Sequence, residues 1–238
     1  MERNTYIPKL AKIIHIKEEV SGARPIKTFR TEFQEKNGFS FKCGQCAMLS
    51  VFGKGESMIS ISSSPLVKDY LQFSILKMGR VTSSIHDLQV GDTIGIRGPY
   101  GNNFPIEKWK GKNLIFIGGG IGLAPIWSVL YTALGKKEDY GDLMLIYGAR
   151  TSKDLVFKEE LEELRKKMKV HLSVDVEEPE WKEFVGFVTL NVLELKPSPK
   201  NAIAVTCGPP IMIKFVIQNL EALGFKDDHI YTTVENKM

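Results

Sequence analysis

Up to about Pro99 the apolar positions fall in short runs broken by small and polar residues. "AKIIHIKEEV", "IKTFRTEF", "CAMLSVF", "MISIS", "LQFSILK" and "DTIGIRGP" are rich in Ile, Val, Phe and Thr. Gly and Ser punctuation such as "FGKGES" and "QVGD" separates them, which is the pattern of strands joined by turns. Only "VTSSIHDL" reads as a helix here, and it is short. Six strands at this spacing predict a small antiparallel barrel of the Greek-key kind.

After "KWKGKN" the rhythm changes to strand, helix, strand. "LIFIG" leads into "APIWSVLYTAL", and "DLMLIYGA" into "KDLVFKEELEELRKKM". "VHLSVDV" is followed by a loop and "TLNVLEL", "AIAVTCG" by "PPIMIKFVIQNLEALG", and "HIYTTVE" closes the series. Phe157, Leu161, Leu164 and Met168 share one helix face, with Glu and Lys opposite, and Gly224 stands where a helix C-cap belongs. Five short apolar strands alternating with helices predict a five-stranded parallel α/β sheet covered on both faces. The division expected is therefore residues 1–108, a β-barrel domain, and 109–238, an α/β domain.

"LIFIGGGIGLAPIWSVLYTAL", Leu114 to Leu134, contains no charge and is about as long as a bilayer-spanning helix. Such a helix would carry four glycines and Pro125 in its interior, at about 1 kcal/mol for each glycine and roughly 3 for the proline. A strand, a tight turn and a helix with Pro125 in its first turn use the same residues without that cost. No membrane span is expected. Glycines in a turn of this kind let backbone N–H groups approach a phosphate at a helix N-terminus, although a merely tight turn has the same composition. The usual dinucleotide fingerprint does not fit. With Gly118 and Gly120 in place its third glycine falls at Leu123, and Arg150 stands where that fingerprint has an acid.

The totals narrow the classes further. The chain has 238 residues, 43% hydrophobic and 25% charged, enough for two modest cores. Lys plus Arg number 32 and Asp plus Glu 28, interleaved, for a net +4 with no basic block, which argues against nucleic acid. The opening "MERNTYIPKLAKIIHIKEE" has no apolar core of signal-peptide length, and three cysteines make no disulfide framework, so a cytoplasmic setting is expected. Cys43 and Cys46 form a "CGQC" pair followed by a strand, whereas a redox pair opens a helix and tetrahedral zinc takes four ligands, so both are read as structural thiols. The four histidines are scattered, and no metal site is expected.

"GGGIGLAP", "YGAR" and "CGPPIM", in this order after a barrel carrying "ISISSSP" and "GRVTS", resemble the ferredoxin–NADP reductase superfamily. The likeness is to the FAD- and NAD(P)-binding gamma subunits of nickel–iron hydrogenases and anaerobic sulfite reductases, with the dihydroorotate dehydrogenase electron-transfer subunit nearby. It extends from "YIPK" to "YTTVENKM". The resemblance implies an NAD(P)H–flavin oxidoreductase subunit in which nicotinamide C4 passes hydride to flavin N5 and electrons leave to an iron–sulfur-containing partner subunit. It implies FAD, NAD or NADP, and a [2Fe–2S] cluster whose ligands are not among these residues. Two rivals remain: a dihydroorotate dehydrogenase-type subunit, and a flavin-free nucleotide-binding regulatory module.

The family's Arg-x-Tyr-Ser flavin motif aligns with Ser57, Met58, Ile59 and Ser60, so serine replaces the phosphate-binding arginine and isoleucine the stacking tyrosine. A second flavin segment aligns with Ile75, Leu76, Lys77, Gly79, Arg80, Thr82 and Ser83, the last two opening a helix toward the pyrophosphate. The resemblance assigns Gly118, Gly119, Gly120, Ile121, Gly122 and Pro125 to the nicotinamide dinucleotide, and Gly148, Ala149 and Arg150 to its adenosine side. Cys207, with Gly208, Pro209 and Pro210, aligns beside the nicotinamide ring, and Glu235 with an acid close to the flavin. Ser60, Cys207 and Glu235 are the implied catalytic residues. Arg150 and Lys153 stand where a 2′-phosphate would be met, which leaves NAD against NADP open.

Overall fold

The computed structural model describes residues 6–35 and 39–233. The chain divides into two units, Met1–Phe104 with Trp127–Thr132, and Pro105–Ile126 with Ala133–Met238.

The first unit is built on six antiparallel strands: β1 (Lys9–Val20), β2 (Ile26–Phe33), β3 (Cys46–Val51), β4 (Gly55–Ser60), β5 (Leu71–Leu76) and β6 (Thr93–Tyr100). Their order is β4-β3-β6-β1-β2-β5, and the two end strands, β4 and β5, pack against each other without being paired in that order. The expected six-stranded barrel is borne out. Ala11, Ile13, Phe29, Leu49, Phe73, Ile85, Ile94 and Ile96 fill its interior. The helix expected in "VTSSIHDL" is α1 (Arg80–His86).

Beyond β6 the chain forms β7 (Asn113–Gly119), α2 (Leu123–Gly135), β8 (Leu143–Ala149), α3 (Lys158–Arg165), β9 (Lys169–Val174), β10 (Phe184–Val185), α4 (Val188–Leu195), β11 (Ala202–Cys207), α5 (Pro210–Ala222) and β12 (Ile230–Thr232), all in the second unit except the Trp127–Thr132 stretch of α2. The strands are parallel in the order β10-β9-β8-β7-β11-β12. That is six strands, one more than the five expected. The extra strand, β10, is only two residues long and sits in the polar stretch after Trp181, too short to leave a hydrophobic pattern. β7 and β11 are buried almost throughout, as strands covered on both faces must be. Leu114–Leu134 is a strand, a turn and a helix, as its glycines and Pro125 require. Among the described residues no helix is long and apolar enough to cross a membrane.

Two helix ends follow from local chemistry. α3 begins at Lys158, later than its polar–apolar pattern suggests, because Phe157 is buried in a left-handed conformation (φ 59°) as its N-cap. Phe157, Leu161 and Leu164 are buried as expected, and Met168 is half-buried beyond the helix end. α5 starts on Pro210, buries Met212, Val216 and Leu220 at fourfold spacing, and is followed by Gly224 at φ 93°.

Candidate functional site

In the second unit the strand order reverses between β7 and β11. Open parallel sheets bind ligands at such a switch point, outside the carboxyl ends of the strands. The register brings the three predicted segments into one row there. Gly118 pairs with Cys207 on one side and with Tyr147 on the other, and Gly119 pairs with Gly148. The turn Gly120–Gly122 then leads into α2, with buried Pro125 in its first turn. Cys207 is buried, Gly208 half-buried, and Pro209 and Pro210 exposed.

The glycines of this row serve two different purposes. A Cβ on Gly122 would lie 2.5 Å from the Cys207 carbonyl oxygen and 2.6 Å from Gly208 Cα, so two backbones touch there and no side chain fits. Gly119, Gly148 and Gly208 are hemmed in similarly, by Met212, by Ser173 with Val188, and by Met212 again. Gly120 differs: its φ is +55°, and nothing lies within 4 Å of where its Cβ would be. It is half-buried, as is Ile121. The turn therefore presents backbone to open space at Gly120 while Gly122 locks it to β11. The hydroxyls of Ser173 and Thr206 are buried with no hydrogen-bond partner among the described residues. A backbone cradle with room above it fits a phosphate-bearing dinucleotide.

At the far end of the row Arg150 and Lys153 are exposed. Asp154 accepts from the Thr151 amide and hydroxyl, and Asp175 follows β9. Partial desolvation pushes the Asp175 carboxyl above its ordinary range, Arg150 opposes that, and Asp154 adds to it. Arg150 is thus within electrostatic reach of the Asp175 carboxylate.

In the first unit the two predicted flavin segments adjoin, since β4 lies against β5 and α1 against β4. β4 pairs only with β3 and is the edge of the order. Ser57 and Ser60 are half-buried, Met58 is exposed, and Ile59 packs on the barrel core. On the second segment Ile75 is core, Leu76 half-buried, Lys77 exposed near Asp87, and Gly79 has φ +84° with open space around it. Arg80 is exposed and Ser83 half-buried. Thr82 is occupied locally: its hydroxyl accepts from the Met78 amide at 2.7 Å and lies 2.6 Å from the Met78 carbonyl oxygen, to which it donates. An edge strand beside an open glycine fits an FAD held by backbone and small side chains, with no arginine at position 57. Glu235 lies outside the described residues.

On β4 itself, Glu56 is held by Arg97 through Nε–Oε1 at 2.9 Å and Nη2–Oε2 at 2.6 Å, and the Ser50 hydroxyl donates to it at 2.7 Å. These bonds, the arginine's first, hold the Glu56 carboxyl at about 2. Arg97 also donates to the Tyr100 hydroxyl.

The "ISSSP" turn is buried rather than surface-exposed. The Ser128 hydroxyl donates to the Ser63 carbonyl at 2.8 Å, Ser64 and Thr132 share a hydrogen bond of 2.7 Å, and Cys43 Sγ lies 3.2 Å from the Thr132 hydroxyl. Cys46 Sγ lies 3.4 Å from the Tyr100 carbonyl. The two thiols thus have separate neighbours, one the helix hydroxyls and the other the end of β6.

His86 closes α1 with its ring buried and Nε2 2.8 Å from the Ile75 carbonyl. Burial lowers its pKa from 6.5, the carbonyl contact and Asp87 oppose that, and Lys27 and Lys77 reinforce it. Below pH 6.5 the unfolded chain binds a proton that the folded ring resists, so this contribution to stability is present above 6.5 and is lost as the pH falls. Half-buried His171, lowered chiefly by desolvation, acts in the same direction. We expect the unfolding free energy to drop between pH 7.5 and 5.5, with His86 contributing at most about 1.4 kcal/mol per pH unit. Denaturant melts of wild type and His86→Gln check this; identical pH slopes would remove His86 from the account.

The description "Oxidoreductase NAD-binding domain" names the family whose sequence model matches residues 116–218. The gamma subunit of sulfhydrogenase 1 from Pyrococcus furiosus is 39% identical over 212 residues, covering 87% of this chain and 72% of that one. The chain belongs to the ferredoxin–NADP reductase superfamily, among its hydrogenase gamma-type members. A second relative in the superfamily is the probable dihydroorotate dehydrogenase B electron-transfer subunit of Methanocaldococcus jannaschii, 34% identical over 87% of this chain and 72% of its own length. The cytochrome b5 reductase domain of Ulva prolifera nitrate reductase shares the fold, with a TM-score of 0.77 at 23% identity over 97% of this chain and 98% of that one.

Within this superfamily member, the residue that reading the sequence passed over is Tyr147. It opens the "YGAR" motif, in which only Gly148, Ala149 and Arg150 were given a role; it is fully buried and hydrogen-bonds to the glycine turn. Its only signal in the sequence is a tyrosine in an otherwise aliphatic strand. Among the described residues no group of three or more His, Cys, Asp or Glu is placed to hold a metal ion.

Proposed function

We propose that the chain is a flavin-dependent NAD(P)H oxidoreductase subunit that carries electrons between a nicotinamide dinucleotide and a partner subunit through FAD. The observation that carries this is the row at the β7/β11 switch point, where the open turn at Gly120 stands beside Cys207 and Gly148. It occurs in a chain 39% identical to a hydrogenase gamma subunit. When bound, the nicotinamide supplies a hydride and the flavin accepts it, releasing electrons singly.

The chain's own work is binding and orientation. Backbone amides of Gly120–Gly122 face the dinucleotide pyrophosphate, with Gly118 and Gly119 below them and Pro125 fixing the helix start. Gly148, Ala149 and Arg150 take the adenosine side, and Cys207–Pro210 the nicotinamide. In the barrel, Ser57–Ser60 would hold the flavin ring, with the Ser60 hydroxyl as the catalytic group of that strand. Ile75–Lys77 run beside it, and Gly79, Arg80 and Ser83 face its pyrophosphate while Thr82 braces the turn. Glu235 completes the set of catalytic positions. The partner is read as iron–sulfur-containing, since a flavin hands single electrons to such centres, and the setting as cytoplasmic. Asp175, within electrostatic reach of Arg150 and with Asp154 beside it, favours an unphosphorylated ribose, hence NAD over NADP.

Anaerobic titration of the holoprotein, followed at the flavin absorbance, tests this. Stoichiometric bleaching by NADH, with NADPH less effective, is expected. A colourless purified protein that binds dinucleotide would favour the flavin-free module instead, and a yellow protein bleached by neither nucleotide would end the hydride-transfer reading.

A further inference from the structure

The geometry points to Tyr147 as a positioning residue for the dinucleotide: its hydroxyl is a strut that sets the distance between the pyrophosphate turn and the segment carrying the adenosine side. This rests on the function proposed above and adds a residue to it. The hydroxyl donates to the Gly120 carbonyl at 3.1 Å and accepts from the Val156 amide at 3.0 Å. One side chain therefore bridges the centre of the open turn to the chain immediately beyond Arg150–Asp154. Both ends of the bridge are backbone, so the phenol fixes main-chain positions rather than the rotamer of another side chain.

The surroundings leave the strut no alternative place. Tyr147 is fully buried on β8, and so is Val156. The ring uses the space that Gly118 leaves, since a Cβ there would come within 3.3 Å of Tyr147 Cδ2. Gly118 and Tyr147 are direct partners in the β7–β8 register. The glycine makes room for the ring, and the ring in turn carries the hydroxyl to Gly120. The Gly120 carbonyl also accepts from the Leu123 amide within the turn, so the phenol adds the bond from outside the turn that holds this carbonyl turned inward at φ +55°. An inward carbonyl leaves the amides of the turn directed outward, which is the arrangement an anion needs.

A strut between two subsites makes a distinctive prediction. A ligand that fills one subsite does not sense the distance between them, and a ligand that spans both does. In the holoprotein, Tyr147→Phe is expected to weaken NAD+ binding by calorimetry about tenfold, while AMP binding changes by less than about twofold. The KM for NADH should rise by a similar factor with kcat at saturation nearly unchanged, because the strut holds ground and transition states alike. A second measurement needs no variant: on adding NAD+ to wild type, hydrogen exchange of the Val156 amide should slow more than that of Leu161. Equal losses for AMP and NAD+, an unchanged NAD+ affinity, or a Val156 amide indifferent to NAD+ would each overturn the strut. If wild type itself binds no dinucleotide, the proposed function fails and the strut with it. If wild type binds and the variant binds equally well, only the strut fails.

Discussion

Replacing Gly122 with alanine should lower the stability of the second unit by about 3 kcal/mol or more, without any chemistry being involved. The added methyl would sit 2.5 Å from the Cys207 carbonyl oxygen, 2.7 Å from its carbon and 2.6 Å from Gly208 Cα. All three are backbone atoms at the end of a strand that pairs with β7 and β12, so no rotamer change relieves the contact. Overpacking that must be relieved by backbone movement typically costs 1–3 kcal/mol and sometimes more, and here the displaced backbone belongs to the middle of the sheet. For a chain of this size that corresponds to a fall of very roughly 6–12 °C in the melting temperature. Gly120→Ala is the control. Its methyl meets nothing, and it bears only the left-handed backbone penalty of about 1–2 kcal/mol. Calorimetry of the two variants should rank Gly122→Ala as much the more damaging. Equal melting temperatures would mean that the contact between the turn and β11 yields easily.

The contrast also shows which features a sequence can display. The strands of both units were legible because burial follows the runs of Ile, Val and Phe, and "GGGIGLAP" because four glycines and a proline cannot be a comfortable helix interior. That Gly120 and Gly122 do opposite jobs was not legible. The difference lies in β11, some 85 residues further on, and pattern along the chain says nothing of what presses on a given glycine. Tyr147 escaped for the same reason, since a strand tyrosine reads as packing until Gly120 and Val156 are seen at its hydroxyl. The burial of the serines in "ISSSP" was not legible either, because their partners, Gln72, Ser128 and Thr132, stand elsewhere in the chain. β10 was missed because two residues carry no period. The late start of α3 was missed because Phe157 adopts a backbone conformation that phenylalanine seldom takes.

Gly120→Leu should abolish productive dinucleotide binding while leaving the barrel and its flavin intact. Gly120 is the one position in the turn where open space, a positive φ and partial exposure coincide, so a side chain there fills the volume that a phosphate would enter. A bound phosphate accepts hydrogen bonds from backbone amides at about 2.9 Å, closer than any isobutyl group permits. Charge-assisted bonds contribute about 1.5–3 kcal/mol each, so losing two weakens binding on the order of a hundredfold or more. The fold should tolerate the change, because the side chain points into space rather than into neighbouring backbone, and the φ penalty is about 1–2 kcal/mol. The variant should therefore purify with its normal flavin content and be reduced normally by dithionite. It should bleach with NADH only slowly, at concentrations far above those that suffice for wild type. Normal bleaching by NADH in a correctly folded Gly120→Leu protein would show that the dinucleotide does not use this turn, and the assignment of Gly118–Gly122 would have to be withdrawn.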